Sequence, residues 1–213
     1  MAVTRLEPLT PAGFAAAFPV SCQTLERLEA FVAHLRRWQA RINLVSTASL
    51  ADVWRRHVLD SAQLLHLTEA RSGPWLDLGS GAGFPGMIVA LLGRRQVHLV
   101  ERDARKAAFL REAARVCAVD VVVHHRAIEA MPPLAAGVLS ARALAPLPRL
   151  LLLAEPQITP DVLGLFLKGQ HVDEELTEAS RYWIMRAERL PSMTDPTGVV
   201  LRLRGMKRVG TAD

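Results

Sequence analysis

Apolar residues follow two rhythms along this chain, and the change between them divides it. Between Ser21 and Ile42, residues Leu25, Leu28, Val32, Leu35, Trp38 and Ile42 recur at three- and four-residue steps, as on one face of an amphipathic helix. Arg36, Arg37 and Arg41 gather towards its C-terminal end, where the helix dipole favours cations. A second helix is predicted from Ser49, with Asp52 three residues on as a capping signal. Val53, Trp54, Val58, Leu64 and Leu65 form its apolar side, and Arg55, Arg56 and Asp60 the other. His57 and Ser61 lie one turn apart on it and face the same way. Residues 1–20 read as an irregular lead-in punctuated by Pro11 and Pro19, and Arg71-Ser-Gly-Pro74 is a break.

Beyond that break the rhythm changes. Short apolar runs alternate with helical patterns, the signature of a mostly parallel α/β sheet. Strands are predicted at Trp75–Leu78, Val97–Glu101, Val121–His124, Val138–Ala141 and Val162–Lys168. Helices are predicted from Pro85 to about Leu92, after Asp103 with Phe109, Leu110, Ala113 and Val116 inward, within Ala143–Pro156 after Leu144, and over Asp173–Glu188. Two last strands, Arg189–Met193 and Gly198–Arg204, are joined by the turn Thr194-Asp-Pro-Thr-Gly198. The expected fold is α/β and Rossmann-like: seven strands, mostly parallel, with a C-terminal antiparallel hairpin and an N-terminal helical extension. The extension takes residues 1–70 and the sheet domain residues 71–213, expected to form one compact unit.

The most informative segment is Trp75-Leu-Asp-Leu-Gly-Ser-Gly-Ala-Gly-Phe-Pro-Gly86. It reads as a buried strand that turns through glycines into a helix. Glycine permits positive φ and close approach of the backbone to a ligand, and the free N–H groups of a helix start suit something polar or anionic. Glu101, ending the next strand, can accept two hydrogen bonds from a ribose diol. Together these describe a nucleoside-binding crevice. Gly81-x-Gly83-x-x-Gly86 satisfies the dinucleotide fingerprint, with Glu101 near the expected offset. However, Gly79 and Ser80 intervene after the strand, and Asp77 sits inside it. The form apolar-Asp-apolar-Gly-x-Gly-x-Gly resembles the first motif of S-adenosylmethionine-dependent methyltransferases, whose cofactor carries an ammonium that a carboxylate such as Asp77 can stabilise. The closing hairpin favours the same reading, because doubly wound dehydrogenases seldom end that way.

Composition refines this only slightly. The chain has 213 residues, 50% of them hydrophobic, and a net charge of +5; disorder is therefore not the default, and an anionic partner such as RNA is favoured. Cys22 and Cys117 belong to no ligand set and are expected to be reduced, in keeping with a cytoplasmic protein. His124-His125 is not expected to bind metal, since adjacent strand residues face opposite ways. No apolar run approaches the ~20 residues of a membrane span. Residues 11–20 make a poor signal peptide.

Six segments in register carry a closer resemblance: Asn43-Leu-Val-Ser46, Arg56-His-Val-Leu-Asp-Ser61, Leu76 to Gly86, Lys106-Ala-Ala-Phe-Leu-Arg111, Ser140-Ala-Arg-Ala-Leu-Ala-Pro146 and Leu167-Lys-Gly169. Over roughly residues 25–170 the chain resembles the RsmG (GidB) family, the ribosomal small-subunit methyltransferase G proteins. The resemblance implies methylation of a guanine N7 in bacterial 16S ribosomal RNA, guanine 527 in the 530 loop, with S-adenosyl-L-methionine as cofactor. The partner is then 16S RNA or a small-subunit assembly particle, with no membrane and no metal, and the protein is expected to be a monomer. The implied cofactor set is Asp77, Gly79, Gly81, Gly83, Phe84, Glu101, Ile128, Glu129 and Arg142. Gly79 and Phe84 reach the cofactor from the first loop, Glu101 takes the ribose, Ile128 and Glu129 flank the adenine, and Arg142 closes the site. Arg126-Ala-Ile-Glu129 departs from the family's usual Gly-Arg-Ala-Glu.

The chemistry agrees with that implication. Carbon-5 of a pyrimidine needs a cysteine nucleophile, and neither Cys22 nor Cys117 is suitably placed. An exocyclic amine commonly uses an Asp/Asn-Pro-Pro-aromatic turn after strand four, where this chain has Ser140-Ala-Arg-Ala143. Guanine N7 has an in-plane lone pair and needs no proton removed. Arg142 is the candidate positioning residue, with a cofactor-side, O6 or phosphate role. His57, Lys168 and Arg56 are candidate RNA contacts, His57 alternatively being a satisfied histidine between helices. Trp38, Trp54 and Trp75 are expected in the core, and Phe84 facing the ligand. Three alternatives stay open: a small-molecule methyltransferase, a non-catalytic RNA-binding protein that senses S-adenosylmethionine, and an NAD-linked oxidoreductase.

Overall fold

Buried apolar strands between two helical layers organise the chain. A computed structural model describes residues 7–68 and 71–210. Seven strands form one sheet in the order β3-β2-β1-β4-β5-β7-β6. They are β1 Trp75–Leu78, β2 Val97–Glu101, β3 Val121–His125, β4 Val138–Arg142, β5 Leu163–Lys168, β6 Trp183–Pro191 and β7 Val199–Arg208. The first five run parallel; β7 is antiparallel to both β5 and β6. Every residue of β1 is buried, as a central parallel strand covered on both faces requires. The order reverses at β1, between β2 and β4, and open α/β sheets bind ligands beyond the strand ends at such a point.

The N-terminal helices are α1 Pro11–Ala17, α2 Cys22–Gln39, α3 Thr47–Ala51 and the short α4 Asp60–Ala62. Phe14, Phe31 and Leu64 from this region join Trp75, Met87, Ile88 and Phe109 in one apolar cluster on one side of the sheet. That side also carries α5 Gly86–Leu91 and α6 Ala104–Val116. A second cluster, with Leu76, Leu78, Leu139 and Phe166, lies under α7 Leu147–Ala154 and α8 Val172–Ala179.

Several expectations are corrected. Residues 11–17 are helical: Pro11 occupies the first turn, the Thr10 hydroxyl accepts from Gly13 N, and Phe14 is fully buried. Proline there starts a helix instead of breaking it. α2 stops at Gln39, whose side chain accepts from Leu44 N and Val45 N and donates to the Val45 carbonyl; Ile42 lies beyond it. The second helix starts at Thr47 under a Ser46 cap. Its predicted continuation is π-wound over Trp54–Leu59, passes through α4, and tightens to 3-10 over Gln63–Leu67.

Pro85 precedes the first residue of α5, and the Phe84–Pro85 peptide is cis. Val116 is 38% exposed, not inward. α8 ends at Ala179, and β6 begins at Trp183, six residues before the predicted strand. The Met, Ala, Glu and Arg of Trp183–Pro191 are helix formers by propensity. Pairing along β7, with a register shift between Ile184 and Arg186, overrides it.

Candidate active site

The glycine loop is anchored from below by a buried chain of hydrogen bonds. The Trp75 indole donates to Ser140 Oγ at 2.8 Å, and Ser140 Oγ donates to Asp77 Oδ1 at 2.6 Å. The other Asp77 oxygen accepts from Gly86 N at 3.2 Å. Asp77 is 0% exposed and braces the start of α5; it lies beneath the loop and does not itself line the cleft above. Gly83 is also turned away from the cleft. Its φ is +87°, and a Cβ there would meet Met87 Cβ at 3.0 Å and Phe31 Cζ at 3.2 Å. Its glycine serves packing. Gly79 does need the lack of a side chain towards the cleft: φ is +66°, and a Cβ would meet Leu144 Cδ1 at 2.6 Å.

Above this anchor lies a cleft of about 570 Å³, within the range of small-molecule sites. Gly79, Gly81, Phe84, Glu101, Ile128, Glu129 and Arg142 all line it. The Glu101 carboxylate is 7% exposed and accepts from Gly81 N and Asp103 N, both at 2.8 Å. Each carboxylate oxygen keeps a further lone pair for a hydroxyl. Ile128 is 7% exposed, whereas Glu129 is exposed to solvent on a short 3-10 turn. The rim carries Arg102, Lys106, Arg126 and Arg149, a cationic collar that residue-by-residue reading missed because its members come from three separate segments.

A second cleft of about 790 Å³ adjoins the first, and the two share Leu44 and the wall Arg142–Pro146. Ala143, in that wall, has φ +50°, a sparsely populated conformation of the kind that clusters at functional sites. The second cleft is closed on its far side by Ser192, Thr194 and Asp195 from the turn between β6 and β7. Asp60, from the segment after His57, lines it as well. Its Oδ1 accepts from Thr194 Oγ1 at 2.7 Å and Gln63 Nε2 at 2.8 Å. Burial pushes this carboxyl above its ordinary range. The role of Asp60 was not foreseen, although the motif containing it was legible.

Arg142 stands where the clefts meet. Its Nη1 donates to the Arg56 carbonyl at 3.0 Å and lies 3.9 Å from Asp60 Oδ2. The guanidinium is 4.9 Å from the Phe84 ring centroid, within cation–π range. Burial pulls it down to about 10, opposed by the charges of Asp60 and Asp77. Phe84, expected to face the ligand, lines the first cleft but is only 3% exposed, with His57 stacked on it at 4.7 Å and Phe31 edge-on at 5.6 Å. It is a floor under the first cleft, and the His57 ring stacked on it lines the second.

The proposed RNA contacts divide. Lys168 Nζ is held by the Ala145 carbonyl at 2.8 Å and by Glu175 Oε2 at 2.7 Å, with the side chain 8% exposed. It braces the shared wall and lines the second cleft. Arg56 pairs with Asp195 at 2.6 Å on an open surface. His57 lines the second cleft but is not the satisfied histidine of the alternative reading. Among the described residues neither ring nitrogen has a partner. Trp75 and Trp54 are buried as expected, and Trp38 is half-buried. His124 is not with His125: its ring stacks on His98 with Nδ1 to Nε2 at 2.9 Å.

Burial, then the charges of Arg142 and Arg56, hold His57 down at about 3 from an ordinary 6.5. Below pH 6.5 the unfolded chain takes up this proton and the folded chain does not, so stability falls as pH drops. The loss attributable to His57 between pH 7 and pH 5 is about 2 kcal/mol. Asp77 has the opposite sign. Burial pushes it up to about 6 from 3.8, so its protonation between pH 7 and pH 5 returns about 1 kcal/mol. His57→Phe, which retains a ring on Phe84, is expected to lose about 2 kcal/mol less than wild type over that interval in urea titrations. Equal losses would show that another group titrates.

A sheet in this order, with a glycine loop and an acidic strand end under one cleft, defines the Rossmann-like methyltransferase class. A putative O-methyltransferase from Klebsiella pneumoniae superposes with TM-score 0.56 at 15% identity, covering 93% of this chain and 97% of that one. A mutant of MtNAS in complex with S-adenosylmethionine gives 0.55 at 15% identity, covering 92% and 84%. These show the shared fold. Residues 24–199 match the GidB family, described as rRNA small subunit methyltransferase G, and the chain belongs to that family. Ribosomal RNA small subunit methyltransferase G of Rhodospirillum rubrum is 54% identical over 200 residues, covering 94% of this chain and 100% of its own. The protein of the same name from Parvibaculum lavamentivorans is 51% identical over 199 residues, covering 91% and 88%. The chain is thus an rRNA methyltransferase, and the dehydrogenase reading falls.

Proposed function

We propose that this protein transfers a methyl group from S-adenosylmethionine to N7 of a guanine in 16S ribosomal RNA, the position corresponding to guanine 527 in the family. The observation that carries the reading is the junction of two clefts at Arg142, where among the described residues no cysteine lies and the carboxylate facing it, Asp60, is held by Thr194, Gln63 and Ser192. Cys22 is exposed on α2; Cys117 is buried at the end of α6, its thiol pushed up to about 11 by burial. His57 is too weakly basic to take a proton. Guanine N7 asks for neither. The residues around the first cleft fit the cofactor. Glu101 can hold the ribose diol, Gly79 and Gly81 leave room along the loop, and Ile128 offers an apolar surface for the adenine. Bound there, S-adenosylmethionine supplies an electrophilic methyl, and the protein's task is to hold the acceptor nitrogen in line with it, ~3 Å away.

The cationic collar and Arg56 suit an RNA backbone. The cytoplasmic setting follows from that substrate. A monomer is proposed with it. Among the described residues no helix is long and apolar enough to cross a membrane. Purified protein is expected to transfer labelled methyl groups to 16S RNA from cells lacking this activity, with the label mapping to N7 by aniline cleavage. Label on a base carbon or exocyclic amine, or none, rejects the assignment.

A further inference from the structure

We propose that Asp60 and Arg142 together read the O6/N1 edge of the acceptor base, and that Asp60 is the residue that selects guanine over adenine. The inference rests on the N7 assignment above and adds how the base is recognised. Three observations carry it.

The first is order in space. Arg142 lines both clefts, whereas Asp60 lines only the second. Passing from the cofactor side to the acceptor side, a ligand meets Arg142 and then Asp60. Around a guanine ring the corresponding order is N7, O6, N1. With N7 directed at the first cleft, O6 comes to the guanidinium and N1 to the carboxylate.

The second is the state of the two carboxylate oxygens. Oδ1 is saturated by Thr194, Gln63 and, at 3.3 Å, Ser192 Oγ. Oδ2 is left facing Arg142 Nη1 at 3.9 Å, too long for a hydrogen bond. The gap separates a donor from an acceptor, each of which can engage one of two neighbouring base atoms. Ser192, Thr194 and Gln63 hold the carboxylate rigidly in place, so little ordering is needed on binding.

The third is complementarity. Guanine presents an acceptor, O6, beside a donor, N1–H. Adenine presents the reverse, an N6 amine beside an unprotonated N1. Arginine can only donate and an ionised carboxylate can only accept, so the pair matches guanine and opposes adenine at both atoms. A site built to hydrogen-bond one such pattern rejects its inverse strongly, because buried groups are left unpaired.

The same contact assists the transfer. As the N7 lone pair forms its bond to the methyl carbon, the carbon–sulfur bond breaks and its electron pair goes to sulfur. The positive charge passes to the purine. N1–H becomes more acidic as this charge grows, so its hydrogen bond to Asp60 strengthens towards the transition state. No proton need leave. Stabilisation of that kind lowers the barrier and not merely the binding energy.

The test is Asp60→Asn in the full-length protein, assayed on small-subunit particles that carry guanine or adenine at the target position. Asparagine can keep an oxygen towards Thr194 and Gln63 and place its amide donor where Oδ2 was. Methylation of guanine is expected to fall about 10- to 100-fold in kcat/KM, mostly through kcat, with discrimination against adenine reduced by a similar factor. Affinity for S-adenosylmethionine and the thermal midpoint should stay near wild type. Unchanged kcat and unchanged discrimination overturn the inference while leaving the N7 assignment intact; failure of the wild-type protein to methylate guanine removes both.

A second arm uses the wild-type protein alone, so it does not depend on the variant folding. Guanosine and inosine monophosphates, which keep O6 and N1–H, are expected to inhibit transfer. 1-Methylguanosine monophosphate, which lacks N1–H, should inhibit at least about tenfold less well. Equal inhibition by all three, or inhibition by none, also overturns it.

Discussion

Glu101→Ala is expected to weaken S-adenosylmethionine binding by at least about 100-fold. Hydrogen bonds to a charged group contribute about 1.5–3 kcal/mol each, and the carboxylate is proposed to accept two from the ribose. Even one kcal/mol and a half per bond amounts to two decades in affinity. The side chain also ties Gly81 N and Asp103 N together at 2.8 Å each. Its removal leaves both N–H groups without that acceptor beneath a mostly buried loop, so the loop should loosen as well. Isothermal titration with the cofactor reads the affinity, and thermal melting reads the loop. Glu101→Gln keeps one oxygen acceptor and should fall between. An unchanged dissociation constant in Glu101→Ala would place the ribose elsewhere.

Arg142→Met is expected to reduce methyl transfer about 100- to 1000-fold, as loss of one well-aimed donor at a reacting centre commonly does. Methionine preserves much of the volume over Phe84 while removing the charge and the donors. The change also deprives the buried Asp60 of its nearest cation, which raises that carboxyl further and turns a hydrogen-bond acceptor towards the neutral acid. Arg142→Lys should rescue only partly, because an ammonium lacks the planar fork. Cofactor affinity should change less than tenfold, since most of the first cleft is untouched. Single-turnover transfer to 16S RNA at saturating cofactor separates the two effects. A rate within threefold of wild type would sink the role assigned to Arg142.

The elements that came through legibly share a physical origin. β1 and β2 were readable to the residue because each is a short, mainly apolar run bounded by turn residues, as a central parallel strand tends to be. Asp103 was legible as a helix cap because its carboxylate satisfies the first N–H groups, those of Arg105 and Lys106, from its own segment. α1, the winding of residues 54–67 and the start of β6 were not legible. Each is decided by partners distant in sequence: Phe14 by Trp54, and Trp183 by strand pairing and its buried seat in the second cluster.

The candidate site divides along the same line. Gly79, Gly81, Glu101 and Arg142 occur in motifs whose chemistry is local, and each lines the first cleft. Asp77 and Gly83 were read as ligand contacts because motif membership does not distinguish facing a ligand from bracing what faces it. Burial and hydrogen bonding make that distinction, and both depend on the folded neighbours.

By itself, then, the sequence determined the strand order's raw material, the glycine loop with its acidic partner, and the family. These rest on periodicity, turn chemistry and short motifs, which act over a few residues. Only the tertiary structure decided that Arg142 joins two clefts, that Asp60 faces it across 3.9 Å, and that the β6–β7 turn lines the second of them. Those juxtapositions bring together residues far apart in the chain, more than a hundred positions in the 2.7 Å contact of Thr194 with Asp60. No local preference encodes such a distance; packing of the whole chain sets it.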